Sequence, residues 1–153
     1  MVDLAERKLA SDLMAAFRDG LLDNEELQSQ WPRHSDDEAL RKIYNELWFM
    51  YSDTHVHKMV GKYAPSDEQF ALLNRMQLFL KTTHEYEWGR SRIVPVFRIP
   101  LLLKVLSLGV LWPVDFLLGE YNSYNSRKLF TIGDVHFWPF ISREQFNGAQ
   151  AEL

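Results

Sequence analysis

Apolar positions along the first half of the chain recur at three- and four-residue intervals, the period of helices with one buried face. Leu9, Leu13 and Phe17 fall four apart and predict a helix from Leu4 to Arg18, with Gly20 as its stop signal. Asp23 stands where it can cap a short helix over Asn24 to Gln28, before Trp31-Pro32 imposes an extended step. Ser35 and Glu38 have capping-box spacing. Leu40, Ile43, Tyr44, Leu47, Trp48 and Tyr51 follow as an apolar stripe expected to be buried, and the pattern extends through His55 and Met59 to Gly61. Ser66 and Gln69 repeat the box, and Phe70, Leu73, Met76 and Leu80 form the next apolar face, ending near Thr83.

Beyond Trp88-Gly89 the pattern changes. Pro95, Pro100 and Pro113 break the apolar runs, and β-branched residues gather at Ile93-Val94 and Val96. Ile93 to Arg98 reads as extended, Leu101 to Leu108 as a short buried helix and Asn122 to Ser126 as a polar loop. Leu129 to Ile132 and Val135 to Trp138 flank Gly133-Asp134 and predict a small antiparallel hairpin. Ser142 to Gln145 opens a terminal helix. The expected fold is one α+β domain, mainly helical. Its first half is helical, and its second half holds the small hairpin among irregular segments.

Composition narrows the class. A chain of 153 residues suits one domain, and an aromatic share of 14% argues against disorder. There is no Cys, which removes disulfides and thiolate metal sites; together with charges in the first eight residues, this gives a cytoplasmic expectation. Ile99 to Leu118 has the length of a membrane span but contains Pro100, Lys104, Pro113 and Asp115, so it reads as core and no membrane association is expected.

The net charge of −4 is uneven: residues 1–60 carry twelve acids against seven bases. An acidic chain repels phosphate, and Arg90, Arg92, Arg98 and Lys104 are too sparse for a nucleic-acid footprint, so no nucleic-acid partner is expected.

Candidate chemistry is thin. His55 and His57 are the only metal-like pair, but two positions apart on a helix they diverge and no third ligand is spaced for them, so no metal is expected. His55 is placed beside Tyr51 and Met59 as a partly buried packing residue. His84 with Glu85 and Glu87 could serve as an acid–base group, or as a solvated helix exit. No Gly-rich loop cradles a phosphate and no Gly-x-Ser-x-Gly elbow presents a nucleophile, so no cofactor and no catalytic residue is assigned. An enzyme using the His55/His57/His84 region and a structural adaptor remain as alternatives.

Binding has two candidate surfaces. Asp23, Glu25, Glu26, Asp36, Asp37 and Glu38 crowd around Trp31-Pro32, more acids than helix capping requires. Glu25, Glu26, Trp31, Asp36 and Asp37 are the expected partner-binding residues, suited to a basic protein surface. Trp112, Tyr121 and Tyr124 form the alternative, on a segment opened by another of the three Trp-Pro dipeptides, at 31–32, 112–113 and 138–139.

Leu73-Asn74-Arg75-Met76-Gln77-Leu78-Phe79-Leu80-Lys81 followed by Glu85-Tyr86-Glu87-Trp88 resembles a helix-and-exit signature of small bacterial proteins, with Gly89 where that signature has Pro. Trp138-Pro139-Phe140-x-Ser142-x-Glu144-x-Phe146 resembles their Trp-Pro-Phe ending. Such proteins look like the immunity partners of polymorphic bacterial toxins. The resemblance implies a protein that binds and neutralises a toxin domain without turnover of its own.

Overall fold

The computed structural model describes residues 1–51, 54–88 and 133–152, with single positions at 114, 117 and 118. Among the described residues there are five α-helices: α1 (Leu4–Arg18), α2 (Asn24–Gln30), α3 (Glu38–Trp48), α4 (Asp67–Leu80) and α5 (Arg143–Ala151). Short 3-10 turns occupy Gly61–Tyr63 and Val135–Phe137. α1 packs along α4 as the central pair; α2 leans on α1, while α3 and α5 lean on α4. No described helix is long and apolar enough to cross a membrane.

Each helix start has a side-chain cap. The Asp3 carboxylate accepts from the amides of Ala5 and Glu6 at 3.0 Å, satisfying donors that have no partner inside α1. Asp23 and Glu26 close a full capping box on α2, as Ser66 and Gln69 do on α4. Gly20 ends the α1 turn at φ +71°, where a side chain would be strained, and a Cβ there would also lie 2.5 Å from Val60 Cγ1. Both demands select glycine.

Ala10, Leu13, Met14 and Phe17 of α1, Leu40, Ile43 and Leu47 of α3, and Leu73, Met76, Phe79 and Leu80 of α4 meet in the core. Trp31, Trp88, Trp138 and Phe140 close its ends. The Trp88 indole donates to the carbonyls of Pro139 and Phe140, and the Trp138 indole donates to the Tyr86 hydroxyl at 3.0 Å. The two segments of the family resemblance therefore pack against each other as the seam between the α4 exit and α5.

The α+β expectation is corrected. The described residues contain no strand, and Val135–Phe137, expected as the second arm of a hairpin, is a 3-10 turn. Its cause is local: the Asp134 carboxylate accepts from the His136 amide at 3.0 Å and winds the chain, so the residues that read as alternating apolar become one turn. The first arm, Leu129 to Ile132, lies outside the described residues, as do Ile93 to Arg98, Leu101 to Leu108 and Asn122 to Ser126.

Smaller corrections follow from packing. Leu9 and Phe70 are exposed, and Ala10 and Met14 take the inward positions on α1. α3 begins at Glu38 with Asp37 as its cap, while Ser35 instead accepts from the Asp37 amide. It ends at Trp48 and does not continue to Gly61. An isolated bridge pairs Asp23 with Lys58, and the Asn24 amide donates to the His57 carbonyl at 3.1 Å, so the chain after α3 lies extended along the start of α2.

Candidate functional site

The acids around Trp31 are mostly committed to the fold. Asp23 and Glu26 cap α2 through each other's backbone amides. Asp37 is 3% exposed and takes both forks of the Arg7 guanidinium, at 2.5 and 3.1 Å, while also accepting from the amides of Ala39 and Asp3. Arg7, with no exposed surface, turns its remaining donors on the carbonyls of Thr82 and His84 and lies over the Phe79 ring. Asp37 thus joins α1, α3 and the exit of α4, and no partner can reach it. Glu38 stands 3.9 Å from Lys42.

Trp31 is 4% exposed and fills the end of the α2–α3 layer. Of the residues assigned to partner contact, Glu25, Glu26 and Asp36 are exposed. Glu25 and Asp36 form no ion pair among the described residues. Trp112, Tyr121 and Tyr124 lie outside the described residues.

A feature the sequence did not announce runs beside these acids. Rings follow one another from Trp31 to Tyr44 (5.5 Å between centroids), to Trp48 (6.4 Å), to Tyr51 (6.0 Å), to His57 (6.4 Å) and to Tyr63 (4.3 Å). The helical spacing of Tyr44, Trp48 and Tyr51 was legible as an apolar stripe. That it forms the outer edge of the core became visible only when α3 docked. Trp48, expected to be buried, is 38% exposed, and Phe49 beside it is 70% exposed. At the Trp31 end a recess of about 520 Å³ is lined by Glu25, Gln28, Ser29, Trp31, Arg33 and His34. Arg33 lies 4.9 Å over the Tyr44 ring.

His55 and His57, expected to diverge on a helix, lie with their rings 5.3 Å apart and both against Tyr63, because the chain there is not helical; His84 does not join them. His57, not His55, is the buried packing residue: its ring sits between Tyr51 and Tyr63, and its amide donates to Asn24 Oδ1 at 2.8 Å. His55 is exposed, and its ring nitrogens pair with the Thr54 and Tyr63 hydroxyls. His84 stands apart against Phe140, its carbonyl given to Arg7. Among the described residues no group of three or more His, Asp or Glu is placed to hold a metal.

No protein-family model, curated protein or solved structure matches this chain.

Proposed function

We propose that this chain is a non-catalytic protein-binding domain, of the kind that neutralises a bacterial toxin domain. One observation carries the reading: the aromatic row of α3 reaches the surface at Trp48 and Phe49. Trp and Tyr are enriched among the residues that dominate binding energy, because a large ring loses little conformational freedom when it is covered. Rings already held by neighbours, as Trp48 is by Tyr44 and Tyr51, are ordered before the partner arrives. Glu25 and Asp36, exposed acids with no ion pair among the described residues, supply steering toward a basic partner surface. The resemblance of the α4 exit and the Trp-Pro-Phe ending to toxin immunity proteins supports the same class.

The test is co-expression with the products of the genes immediately flanking this one. A stable complex with one of them, and restored growth where that product alone is toxic, is the expected result. Trp48→Ala and Phe49→Ala should each weaken the complex about tenfold or more while keeping the melting curve of the parent. If neither flanking product binds, or if both substitutions leave affinity unchanged, the reading is overturned.

A further inference from the structure

His55 and His57 stand on the stretch of chain that lies along the start of α2, where no helix parts positions two apart. Asn24, the first residue of α2 and 2% exposed, fixes that stretch. Its amide donates to the His57 carbonyl at 3.1 Å, its Oδ1 accepts from the His57 amide at 2.8 Å, and its Nδ2 donates to the His55 carbonyl at 3.3 Å. The chain then turns at Gly61, whose φ of +59° favours glycine, and the 3-10 turn over Gly61–Tyr63 brings Tyr63 back onto both rings. The three rings close a triangle, with centroids 5.3 Å (His55–His57), 5.2 Å (His55–Tyr63) and 4.3 Å (His57–Tyr63) apart.

The hydrogen bonds decide which nitrogens keep a lone pair. A carbonyl cannot donate, so His57 Nδ1, 3.0 Å from the His55 carbonyl, carries the proton. In the neutral ring the lone pair is then on Nε2, which makes no hydrogen bond among the described residues. His55 is held in the same way: Nδ1 meets the Thr54 hydroxyl at 2.9 Å, and Nε2 meets the Tyr63 hydroxyl. With its proton on Nδ1, His55 accepts the phenol O–H at Nε2. Metal-ligating histidines give their second ring N–H to a carbonyl or another oxygen, which sets tautomer and ring orientation. Here both rings have that second contact, and Tyr63 supplies the third ligand that the two histidines lack.

We propose that His55 Nε2, His57 Nε2 and the Tyr63 oxygen form a binding site for a divalent transition metal that prefers imidazole, such as zinc or copper. The cation takes the place of the phenol proton between Tyr63 and His55: the oxygen–metal bond forms as that proton leaves to solvent. Water fills the remaining position. Calcium and magnesium, which call for six or more oxygen ligands or near-octahedral water, are excluded by the donor set. Lys62 Nζ lies 4.7 Å over the Tyr63 ring and opposes a second cation, whereas Lys58 Nζ is held by the Leu21 carbonyl at 3.1 Å. Bound metal ties the Gly61 turn to the start of α2. This inference does not depend on the protein-partner reading, because Trp48 and Phe49 take no part in it.

The experiment titrates the untagged whole chain with zinc chloride and with copper(II) sulfate, with calcium chloride as the control. One zinc per chain at about 10 μM or tighter, copper tighter still and no response to calcium are expected. The melting temperature should rise with zinc, as binding to the folded chain requires. His55→Ala, which removes an exposed ring, should weaken zinc about tenfold or more and abolish the rise in melting temperature. His57→Phe, which keeps a packing ring between Tyr51 and Tyr63, should do the same. Tyr63→Phe should weaken copper about tenfold and remove the phenolate-to-copper absorption band. Lys62→Gln should hold or tighten zinc, and His34→Ala and His136→Ala should leave it unchanged. No zinc or copper bound at about 1 mM, full affinity in His55→Ala (an adventitious ion only), or full affinity in Tyr63→Phe overturns the proposal.

Discussion

Removing the Asp37 carboxylate should be among the most destabilising single changes available in this chain. Among the described residues, Asp37→Ala takes the only anion from a guanidinium that has no exposed surface, since Arg7 meets Asp37 through two bonds and is otherwise held by two carbonyls and the Phe79 ring. A buried charge left without its partner costs about 3–5 kcal/mol. The same substitution removes the cap of α3, where Asp37 accepts from the Ala39 amide at 3.0 Å, adding about 1 kcal/mol. The expected total of roughly 4–6 kcal/mol is a large part of the 5–15 kcal/mol that holds a typical domain together. Urea unfolding followed by far-ultraviolet circular dichroism measures it. The decisive comparison is a double-mutant cycle with Arg7→Met. Once the cation is gone, Asp37 is itself a buried charge without its partner, so Asp37→Ala should cost less than its cap alone, under about 1 kcal/mol, or stabilise. If Asp37→Ala costs the same in both backgrounds, within about 0.5 kcal/mol, the pair is not coupled and the argument fails.

Leu47→Ala should lose about 2–5 kcal/mol, because Leu47 is fully buried in the core; a loss under about 0.5 kcal/mol in denaturant melts would place this face outside the core. One tyrosine, absent from the titration of Tyr51→Phe, should ionise near pH 12 by absorbance at alkaline pH. The unfolded chain gives up that proton around its ordinary 10.0 while the folded chain keeps it to about 12, so this contribution is whole below pH 10 and is lost between 10 and 12. A stability curve flat across that interval relative to Tyr51→Phe would refute the assignment. Glu25→Lys with Asp36→Lys should slow association with a genuine partner and leave the fold intact, the effect shrinking at 1 M salt, where the Debye length is about 3 Å. An unchanged association rate would remove these acids from the recognition surface.

The local grammar of this chain was legible from residue order alone. Helix α1 begins and ends where Leu4, Arg18 and Gly20 predict, and Asp23 and Ser66 cap as their spacing to Glu26 and Gln69 requires, because a cap is decided by three or four consecutive residues. The burial of Leu13, Phe17, Ile43 and Leu47 followed from helical period. Tertiary structure decided everything that needs two distant segments. Asp37 read as a surface acid because nothing local says that Arg7, thirty residues away, will be buried beside it. Val135 to Trp138 read as a strand because alternation over four residues is equally compatible with a turn, and the Asp134 carboxylate settled which one formed. Trp48 sits on the same periodic stripe as Leu47, but the stripe is wider than the surface α4 offers to cover it, so one residue was enclosed and its neighbour was left facing solvent.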